Sequence, residues 1–130
     1  MVVYYTALIV LGTNTMPATK LIKMLGCLKA LGAMIKYSDI ICTKFLRPID
    51  EGDFLNEAVL ISTTLSKILL ENKLRCIADF MNIDSSHDID LDLVTYDGAI
   101  VNKGKVIKYP FLFDFIKQLQ PELLTWRQNT

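Results

Sequence analysis

The segment DIDLDLV, at residues 88–94, alternates carboxylates with apolar side chains. Because successive side chains of a strand point to opposite faces, Asp88, Asp90 and Asp92 share one face and the apolar residues share the other. The apolar face suits a core covered by helices. The acidic face must be solvated or compensated by a cation, because carboxylates this close repel one another more strongly as water is excluded. The segment therefore predicts a sheet whose two faces differ in chemistry.

Helical periodicity follows two of the predicted strands. The first helix has an apolar stripe, with its lysines largely off that stripe, and Gly32 ends it. Thr63 or Thr64 can cap the second helix. The predicted apolar faces are Leu21, Met24, Leu25, Leu28 and Leu31 in the first helix, and Leu65, Ile68, Leu69, Cys76 and Phe80 in the second.

Turn signals separate the remaining elements. Asp97-Gly98 lies between apolar runs and indicates a hairpin, whereas NKGK, at 102–105, indicates a further turn. The order strand, helix, strand, strand, helix, strand is the ferredoxin-like βαββαβ pattern, here with a hairpin and a helix appended. We therefore predict an α+β sandwich in which an antiparallel sheet has helices on one face and its other face open to a ligand. Strands are predicted at 2–11, 33–45, 55–63 and 88–94, and a last helix at 111–119.

The length, composition and charge of the chain limit the kinds of protein that it can be. The chain has 130 residues, of which 52% are apolar, and this suits a single domain, residues 1–130, with a sizeable core. Lysine plus arginine and aspartate plus glutamate number 14 each, which excludes a nucleic-acid binder that relies on bulk positive charge. No apolar run reaches the length of a membrane span. We expect a cytoplasmic protein, monomeric or weakly dimeric, without a nucleic-acid or membrane partner.

The carboxylate spacing supports two interpretations. Oxygen ligands favour a hard ion such as Mg²⁺, which takes one or two carboxylates together with substrate phosphates and water. Two aspartates on one strand face would then hold the ion against a nucleotide. Alternatively, the strand is an exposed edge whose carboxylates are solvated. The spacing alone does not choose between these interpretations.

Four segments resemble the hydroxymethyl-dihydropterin pyrophosphokinase family, an enzyme family of the folate pathway. DIDLDLVTYDG followed by AIV is similar to the family's Asp-x-Asp strand and hairpin, and DFLNEAVLIST, at 53–63, is similar to its aromatic-Leu-Asn-x-Ala strand. LGTN, at 11–14, resembles the turn after its first strand, and FLRP, at 45–48, resembles the start of a later loop. The segments occur in the family's order and cover most of the chain. The resemblance implies the same ferredoxin-like core.

The resemblance also implies an activity, which is the transfer of pyrophosphate from ATP to the hydroxymethyl group of a reduced pterin with release of AMP. ATP is then the co-substrate, and two Mg²⁺ ions bridge its phosphates. Asp90 and Asp92 match the family's catalytic metal ligands. The residues that match its pterin site are Phe54 and Phe111, which would stack on the two ring faces, Asn56, which would bind the ring edge, and Arg47 and Pro48, whose backbone would add contacts.

The chain departs from the family pattern in its phosphate-binding loops. Only MNIDSSHD, at 81–88, stands where the family has a long loop with arginine and tryptophan, and NKGKVIKYP, at 102–110, replaces a stretch that contains histidine. A second hypothesis follows, in which a relative without catalysis serves as a binding module for a pterin-like molecule or as a protein-interaction module. In that case Phe54 and Phe111 are ordinary core aromatics, and Asn56 bonds to the backbone.

Overall fold

The structure, a computed structural model, describes residues 1–13, 17–43, 54–82 and 89–124. Helices and strands alternate over these ranges in nearly the predicted order. The elements are β1 (Tyr5–Thr13), α1 (Pro17–Leu28), β2 (Ala33–Tyr37), β3 (Ile41–Thr43), β4 (Phe54–Thr63), α2 (Lys67–Met81), β5 (Ile89–Tyr96), β6 (Ala99–Ile100), α3 (Lys103–Lys108) and α4 (Pro110–Leu119).

The strands pair in the order β2-β4-β1-β5-β6, and β3 pairs with β4 on the same side as β2. Every pairing is antiparallel. The β1-α1-β2 unit leaves β4 between its two strands, and the β4-α2-β5 unit leaves β1 between its two strands. These interlocked split βαβ units confirm the predicted α+β, ferredoxin-like fold class.

One predicted strand, at 33–45, is two short strands in the structure. The backbone N–H of Ser38 donates to the carbonyl of Ala58 at 2.9 Å, and the N–H of Ala58 donates to Ser38 Oγ at 2.8 Å. The serine hydroxyl thus takes the place of a backbone acceptor, and the regular ladder is interrupted there. Residues 44 and 45 lie outside the described ranges.

The first face of the sheet is covered by α1 and α2. Every second residue of β1 points to this face, and Ala7, Ile9 and Leu11 are fully buried there. The predicted apolar stripe of α1 is confirmed, because its members either are buried or pack against this core. The buried helix residues in the cluster are Leu21, Met24, Leu28, Leu70 and Leu74.

The predicted apolar face of α2 is wrong, although Leu65 does pack against the core. Ile68 and Phe80 are 72% and 73% exposed, whereas Leu70 and Leu74 are buried. Apolar residues occur on more than one side of this helix, so periodicity alone does not select the buried side. The other misassigned residues, Leu69 and Cys76, are also exposed.

The helix cap explains where α2 begins. Ser66 Oγ accepts from the N–H of Leu69 at 3.3 Å, so Ser66 is the N-cap. Thr63 is instead the last residue of β4. Its hydroxyl donates to the carbonyl of Leu31 at 2.7 Å and accepts from the N–H of Leu65 at 3.1 Å. The predicted threonine therefore joins the end of β4 to the segment after α1.

The second face of the sheet is not open along its whole length. The predicted turn at 102–105 is the start of α3, because Asn102 Oδ1 accepts from the N–H of Lys105 at 3.0 Å and caps a helix. Helices α3 and α4 pack on one end of this face. The buried residues of this second core are Leu8, Val10, Ala58, Leu60, Val94, Val106, Leu112, Phe115, Ile116 and Leu119.

The hairpin after β5 forms where it was predicted. Asp97 and Gly98 have φ values of 52° and 79°, as a type I′ turn requires, and glycine adopts such values without steric cost. A register shift pairs Ile9 with Leu93 but Leu8 with Thr95, so β5 contains a bulge at this end. No helix in the described parts of the chain is long and apolar enough to cross a bilayer.

Candidate active site

A polar row crosses three adjacent strands at the opposite end of the second face from the core under α3 and α4. Asp90 of β5 lies opposite Gly12 of β1, and Gly12 lies opposite Asn56 of β4. Asp92 lies one pleat further along β5, opposite Val10. Because residues two apart on a strand point the same way, Asp90 and Asp92 share this face. The two carboxylates and the amide that the sequence singles out are therefore neighbours in the sheet.

Gly12 makes room for its neighbours in the row. A Cβ atom at this position would lie 2.7 Å from Asn56 Oδ1 and 3.2 Å from the ring of Phe54. Since both separations are shorter than ordinary van der Waals contact, no larger residue fits without moving the amide or the ring. The sequence analysis did not predict this role. The available signal is a glycine inside a strand that is otherwise apolar, which indicates close approach of another group.

A cavity of about 220 Å³ lies over the row. It combines an apolar wall with amide, carboxylate, ammonium and phenol groups, as small-molecule sites do. Five residues proposed for pterin or metal binding from the resemblance line it, together with other residues of the sheet and of the segment that contains α3 and α4. The complete lining is Val10, Gly12, Phe54, Asn56, Asp90, Asp92, Lys105, Tyr109, Phe111 and Leu112.

The aromatic residues of the cavity are held by the core. Phe54 is only 1% exposed, and Phe111 is half-buried at the start of α4. The Phe111 ring packs edge-on against Phe115, with ring centroids 6.1 Å apart, and is tilted against Tyr109 at the same separation. Phe54 and Phe111 thus reach one cavity from β4 and from α4. Tyr109, which the sequence analysis did not single out, adds a phenol to it.

Lys105 is the cation of the site. Its Nζ donates to Asp92 Oδ1 at 2.6 Å, and the side chains are 39% and 34% exposed respectively. The lysine reaches Asp92 because the Asn102 cap begins α3 beside the edge of β5. The sequence predicts a turn here and offers Lys103, Lys105 and Lys108 as positive charges, without indicating which of them meets Asp92. The role of Lys105 depends on the helix, which the turn-like composition of NKGK concealed.

The carboxylates fit a magnesium site that is completed by a substrate. In the part of the chain that the structure describes, no group of three or more His, Cys, Asp or Glu side chains could enclose a metal ion. Mg²⁺ in nucleotide enzymes commonly takes one or two carboxylates and obtains its other ligands from phosphates and water. Asp90 and Asp92 are two carboxylates of the kind that could hold such an ion, and one oxygen of Asp92 is bonded to Lys105.

A second cavity, of about 370 Å³, lies between α2, β5 and the start of α3. It shares Asp90, Asp92 and Lys105 with the first cavity, so this acidic and basic cluster borders both spaces. Helix α2 adds Glu71 and Arg75, which the sequence analysis missed. These two residues were not recognised from the sequence, because the buried face of α2 was predicted incorrectly. Arg47 and Pro48, proposed for backbone contacts to a pterin, lie outside the described residues.

Comparisons with known proteins agree with the fold. Two crystal structures of HPPK-DHPS from Plasmodium falciparum, the wild type and a variant, both with pteroate, have a similar fold. The wild type aligns with a TM-score of 0.57 at 12% identity, over 75% of this chain and 29% of that chain. The variant aligns with a TM-score of 0.56 at 12% identity, over 94% of this chain and 34% of that chain.

This chain therefore spans about a third of the length of those two proteins, and at such low identity the likeness concerns the fold alone. No curated protein matches the sequence. A family model for 7,8-dihydro-6-hydroxymethylpterin-pyrophosphokinase (HPPK) matches residues 8–121, a range that includes the whole lining of the first cavity. The chain belongs to the HPPK family of folate-pathway pyrophosphokinases.

Proposed function

We propose that this chain binds a reduced pterin in the first cavity and MgATP beside it, and transfers pyrophosphate to the hydroxymethyl group of the pterin. Members of the HPPK family use ATP and Mg²⁺. The observation that carries the proposal for this chain is the row Asp90–Gly12–Asn56, which aligns a carboxylate, a glycine without a side chain and an amide across three strands. Such a row can orient a flat polar ring beside a metal-bound phosphate.

The size and lining of the first cavity support a pterin. An apolar protein cavity of about 150 Å³ holds a benzene ring, so a space of about 220 Å³ suits a fused two-ring system. Phe54 and Phe111 would contact the ring faces, because aromatic rings favour offset or tilted packing against one another. Asn56 has a donor and an acceptor, and it would bind the ring edge.

The second cavity supports the nucleotide part of the proposal. It lies on the far side of Asp90, Asp92 and Lys105, so a nucleotide there would bring its phosphates to the boundary with the pterin. A pair of Mg²⁺ ions would neutralise charge that develops on the phosphates. Asp90 and Asp92 would hold the ions, and Lys105 would add a positive charge at the same boundary.

The proposed reaction is an in-line displacement at the β-phosphorus of ATP. The hydroxymethyl oxygen of the pterin forms a bond to that phosphorus, and the bond from it to the oxygen on the α-phosphate breaks. The oxygen leaves with AMP, and the hydroxyl proton passes to water. The protein's contribution is positioning and electrostatic stabilisation, since phosphoryl transfer needs little covalent chemistry from side chains.

A second candidate function is a pterin-binding module that does not use a nucleotide. The Lys105–Asp92 ion pair favours it, because a lysine already balances one of the two carboxylates without a metal. The short segment 81–88 favours it too, since it replaces the family's long loop. In this alternative the first cavity keeps its ligand, and the second cavity has no nucleotide.

The direct test is an assay of AMP release with hydroxymethyl-dihydropterin, ATP and Mg²⁺. We expect turnover in the wild type and a loss of at least about a hundredfold in Asp92→Asn, because the substitution removes a metal ligand. Asp97→Asn is the matched control, as it removes a carboxylate from the exposed turn of the same hairpin. The pyrophosphokinase proposal fails if the wild type shows no turnover at high enzyme concentration.

Calorimetry separates the two candidate functions. Titration with a nonhydrolysable ATP analogue in Mg²⁺, and separately with a pterin, measures each affinity on the same protein. Binding of both ligands, with the analogue lost in Asp92→Asn, supports the enzyme. Binding of the pterin alone supports the module.

A further inference from the structure

The Lys105–Asp92 ion pair lies at the boundary between the two cavities. Lys105 reaches it from α3 and Asp92 from β5, and both residues line both spaces. The Nζ to Oδ1 separation of 2.6 Å is that of a short charge-assisted hydrogen bond. The pair therefore occupies the point at which a pterin on one side would meet phosphates on the other.

An ammonium group at this distance acts on a metal ion in two ways. It occupies one carboxylate oxygen of Asp92, and its positive charge repels a divalent cation at the same carboxylate. Both effects weaken the binding of a metal ion that arrives alone. A polyphosphate has the opposite sign, and its oxygens would attract the ammonium away from Asp92.

We propose that Lys105 is a positioning residue that competes with divalent metal for Asp92 and yields the carboxylate only when a triphosphate gives the ammonium another anion. The inference rests on the proposed function, since it assumes that Asp92 is a metal ligand. It makes metal and nucleotide binding interdependent, so a metal ion without nucleotide binds weakly.

The local structure allows Lys105 to change partners. Its side chain is 39% exposed and has a flexible four-carbon stem, so the ammonium can move while the backbone stays in place. The backbone itself is held, because the N–H of Lys105 donates to the Asn102 side chain and Val106 is buried in the second core. The second cavity provides space into which the ammonium can move.

The test measures Mn²⁺ binding without nucleotide, by the paramagnetic resonance signal of free Mn²⁺, in four proteins: the wild type, Lys105→Met, Lys103→Met and Asp92→Asn. Methionine removes the ammonium group, leaves an unbranched side chain one atom shorter, and has nearly the helix propensity of lysine. Lys103 is exposed on the same helix and does not line either cavity, which makes it the matched control. We expect Lys105→Met to bind Mn²⁺ about threefold to tenfold more tightly, and Lys103→Met to bind within about twofold of wild type.

A second measurement, of nucleotide affinity, should change in the opposite direction to the Mn²⁺ affinity. With saturating Mn²⁺, Lys105→Met should bind a nonhydrolysable ATP analogue about tenfold more weakly, because a charged hydrogen bond to phosphate is lost. A purely structural role of Lys105 would weaken both kinds of binding. Circular dichroism melts establish that the variants fold, and Lys105→Gln repeats the test with a shorter neutral side chain.

The outcomes distinguish this inference from the proposed function. The inference is overturned if Lys105→Met binds Mn²⁺ no more tightly than wild type while Asp92→Asn loses the ion. If Asp92→Asn binds Mn²⁺ as well as wild type, Asp92 is not a metal ligand, and the metal part of the proposed function fails together with the inference. Tighter Mn²⁺ binding with weaker analogue binding supports both.

Discussion

The two faces of the sheet are built from the same strands and differ completely in chemistry. On the face under α1 and α2, β1 contributes Ala7, Ile9 and Leu11 to a continuous apolar core. On the other face, β1 contributes Leu8 and Val10 to a smaller core under α3 and α4, and then Gly12 to the polar row. The buried core of the first face is apolar, whereas the second face changes from apolar to polar within two residues of β1.

This difference separates stability from binding in the molecule. Burial of apolar area on the first face stabilises the fold, because the hydrophobic effect scales with the area removed from water. The polar end of the second face carries side chains that can bond to a ligand, such as Asn56, which lines the first cavity. Substitutions on the first face should therefore alter unfolding, and those at the polar row should alter binding.

The largest effect on stability is expected for Met24→Ala, at the centre of the first face. Met24 is fully buried between α1 and the sheet, so truncation leaves a cavity. We expect the free energy of unfolding to fall by about 3 kcal/mol. Urea unfolding measures this loss, and pterin titration of the folded variant should give an unchanged affinity. A large loss of pterin affinity would show that the two faces are not separable.

Gly12→Ala should combine a stability loss with a binding loss. The added Cβ would lie 2.7 Å from Asn56 Oδ1, so the amide or the strand must shift. We expect a loss of about 2 kcal/mol in unfolding free energy, as is typical of overpacking, and at least a roughly tenfold weaker pterin affinity. Gly26→Ala, where an added Cβ meets no atom within 4 Å, is the control for unfolding and for binding. Unchanged pterin binding in Gly12→Ala would place the ligand elsewhere.

Thr95→Val tests the covered end of the second face. The Thr95 hydroxyl donates to Gln120 Oε1, and both residues are buried. Valine has the same shape but no donor, so the glutamine oxygen loses this donor and we expect a loss of about 1.5 kcal/mol. Chemical denaturation measures it. Pterin affinity should not change, because Thr95 and Gln120 do not line the first cavity. A change in affinity would extend the site to this end of the face.

Phe111→Leu should weaken pterin binding with little change in stability. Leucine keeps most of the apolar volume, but it removes the aromatic face from the cavity. The expected loss is about 1 kcal/mol of binding free energy, which is roughly fivefold in affinity. Phe113→Leu is the matched control, since Phe113 is also half-buried in α4 and does not line the cavity. Equal effects from the two substitutions would argue against stacking by Phe111.

The smallest effect is expected at Glu57, a carboxylate in β4 beside the first core. Partial burial raises the pKa of Glu57 above the ordinary value of 4.5. The folded state therefore binds the proton of this carboxyl more readily than the unfolded state. The free energy of unfolding of the wild type falls as pH rises from the ordinary value of 4.5 through the raised pKa of the folded state. Glu57→Gln should remove that fall and gain on the order of 0.3 kcal/mol at neutral pH after allowance for solvent screening. Unfolding measured below and above this pH range checks this, and an unchanged pH dependence would contradict it.

Local patterns were sufficient for most elements of the fold. The alternation at 88–94 placed Asp90 and Asp92 on one face, and the Asp97-Gly98 turn formed as predicted, because each depends on neighbouring residues only. The stripe of α1 was also predicted correctly, since its apolar residues lie on one side. The face of α2 was not, because Phe80 and Ile68 compete with Leu70 and Leu74 for burial and only the position of the sheet decides between them.

The candidate site also has features that could be predicted from the sequence and features that could not. Its residue types were recognisable from the sequence, but the contact between Lys105 and Asp92 was not, because it joins α3 to β5 across 13 positions of the chain. The room for the Asn56 side chain depends on Gly12, which is 44 positions away in the sequence and directly opposite in the sheet. Neither contact could be predicted from a short sequence motif, because its two residues are far apart in the chain.

The sequence by itself determined the strand and helix order, the family resemblance and the acidic face of β5, because these follow from periodicity, turn chemistry and short motifs. The tertiary structure alone decided which side of α2 is buried, how much of the second face α3 and α4 cover, and which cation meets Asp92. The physical reason is that burial and ion pairing depend on distances between segments far apart in the chain, and those distances exist only once the sheet has assembled.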